Sequence, residues 1–266
     1  MEWVEANGVM HRVALFGQGS MTVVLANELG GMLENWGDVA STLLNCRVLQ
    51  YDARGTGMSE KPVTKVLSVA SLASDLNALL DKLKIEGKVV IAGSAIGCAL
   101  AVQFAATYPS RTAGIVSFSP VLGGVTGELR EQRLAMIDRL PESGMRDVVD
   151  VLLAAGYPEA LRGDVVRFEQ FRARWLCNDV KSFAAAFRMA ATLDLSEAIG
   201  EVKCPVLLVA GKHDHFRTPA MVNEMAKKFH NASVEELDSG HFMPVQTPAL
   251  VSHVLRRFLG TIAVTS

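Results

Sequence analysis

Short apolar segments separated by helical patterns are the feature that most limits how this chain can fold. The segments VVIAG, at residues 89–93, and VLLVAG, at residues 206–211, are apolar throughout. Strands have this character when helices cover both faces of their sheet. In SLASDLNALLDKLKI, at residues 71–85, the leucines instead recur at helical spacing. The alternation predicts an α/β fold, a mostly parallel twisted sheet flanked by helices.

The predicted strands are Arg12–Phe16, Thr22–Ala26, Arg47–Tyr51, Val89–Ala92, Gly114–Phe118, Pro205–Ala210 and Ser233–Leu237. The almost wholly apolar stretch from Gly97 to Thr107 predicts a buried helix that ends before the Tyr108–Pro109 step. A last helix is predicted over about Pro248–Leu259.

One region breaks the alternation. From about Val121 to Val202 the chain has helical patterns and turns but no strand pattern. We predict that this region is an inserted helical cap over one end of the sheet. The predicted domains are therefore a first part of the core at residues 1–120, the cap at 121–202 and a second part of the core at 203–266.

Composition narrows the class of partner. The formal charge of −2 over 266 residues provides no basic surface for nucleic acid and no polybasic membrane anchor. The four cysteines form no C-x-x-C pair, which is typical of reduced thiols in a cytosolic protein. The N-terminus lacks the pattern of a signal peptide, and no apolar run is long enough for a membrane span. We expect a cytoplasmic protein with a small-molecule partner; the pattern does not indicate an oligomeric state.

A sharp turn follows the strand predicted at Val89–Ala92. The residues Gly93-Ser94-Ala95-Ile96-Gly97 match the nucleophile turn G-x-S-x-G at both glycines, but alanine occupies its centre. Such a turn allows no side chain at the glycine positions, and it holds the central side chain exposed at a helix N-terminus. Ala95 therefore occupies the position of a nucleophile without its hydroxyl.

Two further polar positions follow predicted strands. Asp214 comes after VLLVAG, and His241 comes after the last predicted strand. Open α/β sheets place their sites at the carboxyl ends of strands. The chain order of position 95, Asp214 and His241 is nucleophile, acid and base. In that arrangement the histidine accepts the proton of the nucleophile, and the aspartate fixes the tautomer and orientation of the imidazole.

With these motifs in order, the chain resembles the α/β-hydrolase family over essentially its whole length. Residues 51–59, YDARGTGMS, resemble the family's D-x-R-G-x-G-x-S loop. KCPVLLVAGKHDHFRTP resembles the strand and loop that carry its acid, and DSGHFMPVQTP resembles its histidine loop. The resemblance implies an α/β-hydrolase fold with a helical cap, hydrolase activity and no cofactor.

The loop after Thr22–Ala26 is similar to that of one branch of the family. Asn27 stands where many members have histidine, and N-x-L-G resembles the branch of the 3-oxoadipate enol-lactonases. By position, the backbone N–H groups of Leu29 and Ile96 should form the oxyanion hole. Glu28 departs from the small residue that is commoner beside this hole, so Asn27 and Glu28 are both candidate substrate contacts.

The resemblance to that branch implies a small substrate that bears carboxylates and arises in the degradation of an aromatic or heteroaromatic ring. Cap arginines could hold a carboxylate, because the planar guanidinium binds it through two hydrogen bonds. The candidate substrate contacts in the cap are Arg172, Arg174, Trp175 and Arg188, with Arg167 also available. Ester, lactone or activated amide hydrolysis is expected; amide hydrolysis of ring-opened N-heterocycles and carbon–carbon hydrolysis of dienoates are alternatives.

Ala95 is open to more than one interpretation. Ser94 as the nucleophile would put the β-branched Ile96 where glycine is needed, and Cys98 lies a turn into the buried helix. A natural non-catalytic ligand-binding relative would be expected to lose its acid and base. Since Asp214 and His241 keep their family contexts, we favour an engineered serine-to-alanine change. His213 and His215 flank Asp214 but lack a distant third ligand, so no metal is expected.

Overall fold

The computed structural model describes residues 1–61 and 67–265, and this part of the chain contains one eight-stranded sheet. The strands are β1 (Glu2–Ala6), β2 (Val9–Phe16), β3 (Thr22–Ala26), β4 (Arg47–Tyr51), β5 (Val89–Ser94), β6 (Thr112–Phe118), β7 (Val206–Gly211) and β8 (Ala232–Leu237). Their order across the sheet is β1-β2-β4-β3-β5-β6-β7-β8. The β1–β2 and β2–β4 pairs are antiparallel, and the other pairs are parallel. The predicted mostly parallel sheet is confirmed.

Helices cover both faces of this sheet. The α-helices are α1 (Gly37–Ala40), α2 (Val69–Lys82), α3 (Ile96–Thr107), α4 (Gly127–Ser143), α5 (Met145–Gly156), α6 (Val165–Leu176), α7 (Val180–Thr192), α8 (Ser196–Glu201), α9 (Pro219–Ala226), α10 (Met243–Gln246) and α11 (Pro248–Thr265). One buried apolar cluster joins the sheet to α2, α3, α8 and α9, and a second joins its other face to α1 and α11. The strand VVIAG is apolar throughout because it contributes to both clusters.

The sequence analysis missed the first strand. β1 pairs with β2 as a hairpin whose turn is Asn7–Gly8, and both turn residues have positive φ, 50° and 68°. Asn-Gly is the strongest short signal for this turn. The strand was missed because Glu2–Ala6 is largely exposed at the sheet edge and lacks an apolar run.

The region predicted as the helical cap, residues 121–202, contains helices α4 to α8. Its interior is a third apolar cluster, rich in aromatic side chains, which includes Phe171, Trp175 and Phe187 and extends to Phe242. Rings at Phe171 and Phe242 lie 5.0 Å apart. The cap therefore packs on the loop that follows β8. The division of the chain at residues 120 and 202 stays a prediction.

The ends of three parallel strands set the place of the candidate site. Position 95 follows β5, Asp214 follows β7 and His241 follows β8. Because parallel strands present their carboxyl ends at one edge of the sheet, these loops meet beneath the cap. Among the described helices, none combines the length and apolar character that a bilayer crossing requires.

Candidate active site

Position 95 lies in a strained turn between β5 and α3. Ala95 has φ 48° and ψ −108°, a conformation that residues with a side chain rarely adopt. A Cβ on Gly93 would lie 2.5 Å from the backbone of Gly97, and a Cβ on Gly97 would lie 2.4 Å from the carbonyl oxygen of Ala26. Strand, turn and helix thus approach closely enough that only glycine fits at both positions.

Backbone hydrogen bonds hold Ala95 in this conformation. Its N–H donates to the carbonyl of Phe118 at 2.9 Å, and its carbonyl accepts from Val121 at 3.2 Å. The methyl group of Ala95 lines a cavity under the cap. Ser94, one residue earlier, is fully buried at the end of β5. This position disfavours Ser94 as the nucleophile.

Asp214 and His241 form a buried pair beside that turn. The imidazole Nδ1–H of His241 donates to Oδ2 of Asp214 at 2.8 Å. The other carboxylate oxygen accepts from the backbone N–H groups of Phe216, at 2.8 Å, and Arg217, at 3.0 Å. A carboxylate can only accept, so the pair places the imidazole proton on Nδ1 and leaves Nε2 able to take a proton.

Opposing effects act on the Asp214 carboxyl. Burial favours its neutral form, but the charge and hydrogen bond of His241 and the backbone donors outweigh burial and lower the pKa of Asp214. The imidazole of His241 is held edge-on between the rings of Phe216 and Phe242, with centroids 5.0 and 5.1 Å away. The backbone N–H of His241 also donates to the cap carbonyl of Gly156 at 3.0 Å. The orientation of the base therefore depends on both the sheet and the cap.

The cavity under the cap brings these groups together. It encloses about 580 Å³ including its open mouth, and Ala95, His241, Leu29 and Ile96 all line it. In the described part of the chain, the backbone N–H groups of Leu29 and Ile96 donate to no other group. Two free donors beside the turn are what an oxyanion hole requires.

Glu28 adds a buried carboxyl to the cavity wall. Its Oε1 accepts from the side-chain amide of Asn35 at 2.5 Å, while Oε2 is buried without a hydrogen-bond partner among the described residues. Burial raises the pKa of Glu28 despite the Asn35 hydrogen bond and the nearby charges of His241 and Arg174. A protonated Glu28 would offer a hydrogen-bond donor to whatever occupies the cavity.

This geometry agrees with the comparisons to known proteins. Residues 22–248 match the family described as the alpha/beta hydrolase fold. The chain belongs to the α/β-hydrolase family. The predicted fold class is therefore confirmed, and the family supports an enzyme of the α/β-hydrolase class.

Individual relatives cover nearly the whole α/β-hydrolase. A Bacillus subtilis protein assigned as a 2-succinyl-6-hydroxy-2,4-cyclohexadiene-1-carboxylate synthase is 27% identical, with 97% of each chain covered. The 3-oxoadipate enol-lactonase 2 of Acinetobacter baylyi is 23% identical over 95% of this chain and 96% of its own. The crystal structure of the enol-lactonase from Burkholderia xenovorans LB400 superimposes with a TM-score of 0.89 at 25% identity, covering 97% and 100% of the two chains. The resemblance to the enol-lactonase branch is confirmed.

The structure brings only some of the predicted substrate contacts to the cavity. Glu28 and Trp175 line it. Asn27 does not; its side-chain amide donates instead to the backbone carbonyl of Tyr51 at 3.2 Å, and Asn27 lines a neighbouring pocket. Arg174 also lies outside the cavity wall, because its Nε donates to Oδ1 of Asn35 at 2.8 Å. Its effect on the cavity passes through Asn35 to Glu28.

Arg172 and Arg188, which were also expected to contact substrate, pair with aspartates in this structure. Arg172 pairs with Asp150 at 2.8 Å, and Arg188 pairs with Asp138. Neither residue is among those lining the cavity. Helical spacing alone did not show which face of each cap helix meets the sheet, and both arginines point to acidic neighbours on the outside. Arg167 likewise pairs with Asp38, at 2.6 Å.

Arg133 and Arg217 line the cavity and were missed by the sequence analysis. Arg217 follows Asp214 by three residues in the acid loop, a proximity that could have identified it. Arg133 lies on α4, whose largely polar sequence gave no signal of a side chain that reaches a site.

The motif at residues 51–59 has a structural role beside the site. The buried Asp52 accepts from the Arg12 guanidinium at 2.7 Å and from the backbone N–H groups of Leu33, at 2.7 Å, and Met58, at 2.8 Å. A Cβ on Gly57 would lie 2.1 Å from Asp52 Oδ2, which explains the glycine. Through Leu33, Asp52 fixes the loop that carries Glu28 and Leu29.

Cys98 is unsuited to replace the missing hydroxyl. Its thiol is fully buried, and its Sγ donates to the carbonyl of Gly93 at 3.2 Å. Burial raises the pKa of Cys98 to about 12, which keeps the thiol protonated at neutral pH. Position 95 therefore remains the place for a nucleophile.

Proposed function

We propose that this α/β-hydrolase binds a small carboxylate-bearing substrate and that, with serine at position 95, it cleaves an ester, lactone or activated amide through an acyl-enzyme. One observation carries the proposal. The His241–Asp214 pair and the strained turn at Ala95 face one cavity, together with the free N–H groups of Leu29 and Ile96.

The chemistry follows from the positions of these groups. With serine at position 95, Nε2 of His241 would take the hydroxyl proton while Oγ attacks the substrate carbonyl carbon. The carbonyl oxygen would become an oxyanion bound by the N–H groups of Leu29 and Ile96. The protonated imidazole would then give its proton to the leaving oxygen or nitrogen as that bond breaks. A water molecule, activated by His241 in the same way, would release the acid product.

We further propose that Ala95 stands where the active form has serine. Alanine preserves the turn and the cavity, since its methyl group differs from the serine side chain only by the hydroxyl. Loss of a triad nucleophile lowers kcat by about 10⁶-fold in a well-studied protease. The chain with Ala95 should therefore bind its ligand and turn it over negligibly.

Reversion of position 95 tests the proposal. We expect Ala95→Ser to hydrolyse p-nitrophenyl acetate and members of a panel of carboxylated lactones, esters and enamides, while the unaltered chain does not. The double variant Ala95→Ser/His241→Ala is the matched control, because it has the hydroxyl but lacks the base. It should be as inert as the unaltered chain.

A second candidate function is supported by Ala95 itself. A ligand-binding relative without catalysis would need the cavity but no hydroxyl. If Ala95→Ser stays inert on the whole panel while the unaltered chain binds a panel member, this second function replaces the first. Within the first proposal, ester, lactone and amide hydrolysis are distinguished by which panel members Ala95→Ser consumes, and a carboxylated dienoate added to the panel tests carbon–carbon hydrolysis.

A further inference from the structure

Two arginines in the cavity wall have no acidic partner. Arg133, from α4, and Arg217, from the acid loop, both line the cavity that contains Ala95 and His241. Among the described residues, neither makes an ion pair with a carboxylate within 4.0 Å. Arg217 is only 6% exposed, and its Nε is buried with no hydrogen-bond partner.

Among the described residues, two arginines are buried, Arg12 and Arg217. Arg12 pairs with Glu34 and Asp52, whereas Arg217 has no carboxylate within 4.0 Å. A buried guanidinium without a counter-charge is unfavourable, because burial removes its water and nothing replaces that interaction. Arg217 is such a group, and the half-buried Arg133 lines the same cavity, so we infer that a ligand supplies the counter-charge.

We propose that Arg133 and Arg217 together bind a carboxylate of the substrate. The inference rests on the proposed function only in taking the cavity as the place where substrate binds. The ligand class is a short carboxylic acid derivative whose free carboxylate lies near the scissile bond, since the same small cavity contains the turn at Ala95. A carboxylate is the group for which guanidinium geometry is best suited.

The position of Arg217 ties this carboxylate to the reacting groups. Its Nη1 donates to the backbone carbonyl of Phe216 at 2.7 Å, and the ring of Phe216 packs against His241. Its own backbone N–H donates to Asp214. A carboxylate at Arg217 would therefore lie on the side of the cavity formed by the acid loop.

The other charged groups of the cavity agree with this orientation. Burial lowers the pKa of both guanidinium groups. The positive charge of Arg133 lowers the pKa of Arg217 further, and the charge of Asp214 offsets part of this shift. The carboxylate of the substrate is attracted by the two arginines, which leaves the N–H groups of Leu29 and Ile96 for a neutral carbonyl.

The test measures binding and needs no turnover, so the unaltered chain with Ala95 serves. The probes are succinate, monomethyl succinate and dimethyl succinate, which carry two, one and no charges on one carbon skeleton. Affinity is measured by calorimetry and by the rise of Tm with probe concentration. We expect the charged probes to bind and to raise Tm, and dimethyl succinate to bind at least tenfold more weakly.

Arg133→Gln and Arg217→Gln should each weaken binding of monomethyl succinate by tenfold or more without changing binding of dimethyl succinate. Arg139→Gln is the matched control, because Arg139 lies on the same helix, is exposed and bonds only to the Ala135 carbonyl of its own helix. It should leave all affinities unchanged. If Arg217→Gln fails to fold, Arg133→Gln decides the result alone.

A second readout separates ligand binding from a merely structural role. Since the two guanidinium groups repel each other in the unliganded protein, Arg133→Gln should raise Tm in the absence of any probe. A fall in Tm, or equal binding of the three probes, would overturn the proposal. Charged-probe binding without turnover by Ala95→Ser would instead reject only the hydrolase proposal, and turnover of neutral esters without charge preference would reject only the carboxylate site.

Discussion

The sheet edge and the helical cap build the same cavity by different means. At the sheet edge, Ala95, Asp214 and His241 lie on loops held by a buried hydrogen bond of 2.8 Å and by backbone packing so close that a Cβ on Gly93 or Gly97 would lie about 2.5 Å from the neighbouring chain. In the cap, Trp175 and Arg133 reach the cavity from helices whose rotation depends on packing of the aromatic cluster. Sequence motifs therefore locate the site residues on the sheet-edge loops. Helical spacing alone does not show which residues of the cap helices reach the cavity.

The arginines illustrate this difference between the cap and the sheet edge. Arg172 and Arg188 lie on the same cap as Arg133, yet they pair with aspartates on its outer side. Arg217, on the sheet edge, follows Asp214 by three residues, donates its backbone N–H to that carboxylate and lines the cavity. This contrast implies that substitutions at the sheet edge strongly lower activity or stability. Substitutions on the outside of the cap should have little effect on either.

The largest effect, a loss of kcat, is expected when Asp214, the acid at the sheet edge, is replaced. In the active Ala95→Ser background, Asp214→Asn should lower kcat by about 10⁴-fold, because an amide in place of Oδ2 no longer fixes the proton on Nδ1 of His241. Steady-state kinetics on p-nitrophenyl acetate measure this. His213→Asn is the control, since His213 pairs with the exposed Asp238 and should retain most activity. A loss of less than tenfold for Asp214→Asn would contradict the assigned role.

Gly97→Ala should cause the next largest effect, a fall in the free energy of unfolding. The added Cβ would lie 2.4 Å from the carbonyl oxygen of Ala26, so β3 and α3 must separate. We expect a loss of about 3 kcal/mol or more in the free energy of unfolding, measured by urea denaturation. The matched control is Gly200→Ala in α8, where a Cβ meets nothing, and helix propensity predicts a gain of up to about 1 kcal/mol. Equal stability of the two variants would contradict the steric explanation of the turn.

Glu28→Gln should have a smaller effect that depends on pH. Because burial raises the pKa of Glu28 above its ordinary 4.5, the folded state holds this proton to higher pH than the unfolded chain. Between the ordinary and the raised pKa the folded state binds more protons, so rising pH lowers the free energy of unfolding. Glutamine removes that loss while its carbonyl can still accept from Asn35.

We therefore expect Glu28→Gln to have a higher free energy of unfolding and a higher Tm than the unaltered chain at pH 8. Near pH 4 the two should converge, because Glu28 is protonated in both states. Thermal unfolding at both pH values measures the difference. A gap of the same size at pH 4 and pH 8 would show that ionisation of Glu28 is not its cause.

The smallest effects are expected on the outside of the cap. Arg172→Gln and Arg188→Gln each remove one partly exposed ion pair, which contributes at most about 1 kcal/mol. Neither should change the affinity for monomethyl succinate, measured by calorimetry beside Arg133→Gln. A tenfold loss of affinity in either variant would restore the prediction that these arginines contact substrate.

Much of the fold could be predicted because its signals are local. The strands at residues 22–26 and 47–51 begin and end as predicted, since each buried apolar run is bounded by turn residues. Asp214 and His241 could be predicted to meet because both follow parallel strands, which end at one edge. The roles of three other residues could not be predicted. Asn27 bonds to Tyr51, 24 positions away, Arg174 bonds to Asn35, 139 positions away, and the position of Arg133 depends on the rotation of its helix.

The sequence by itself determined the sheet, the turn at Ala95 and the order of acid and base, because glycine sterics and apolar periodicity act between near neighbours. Only the tertiary structure decided which arginines lack a counter-charge, that Glu28 is buried against Asn35, and that the cap carbonyl of Gly156 holds His241. Burial and charge pairing are properties of groups that meet only after the chain has folded, and spacing along the chain does not encode them.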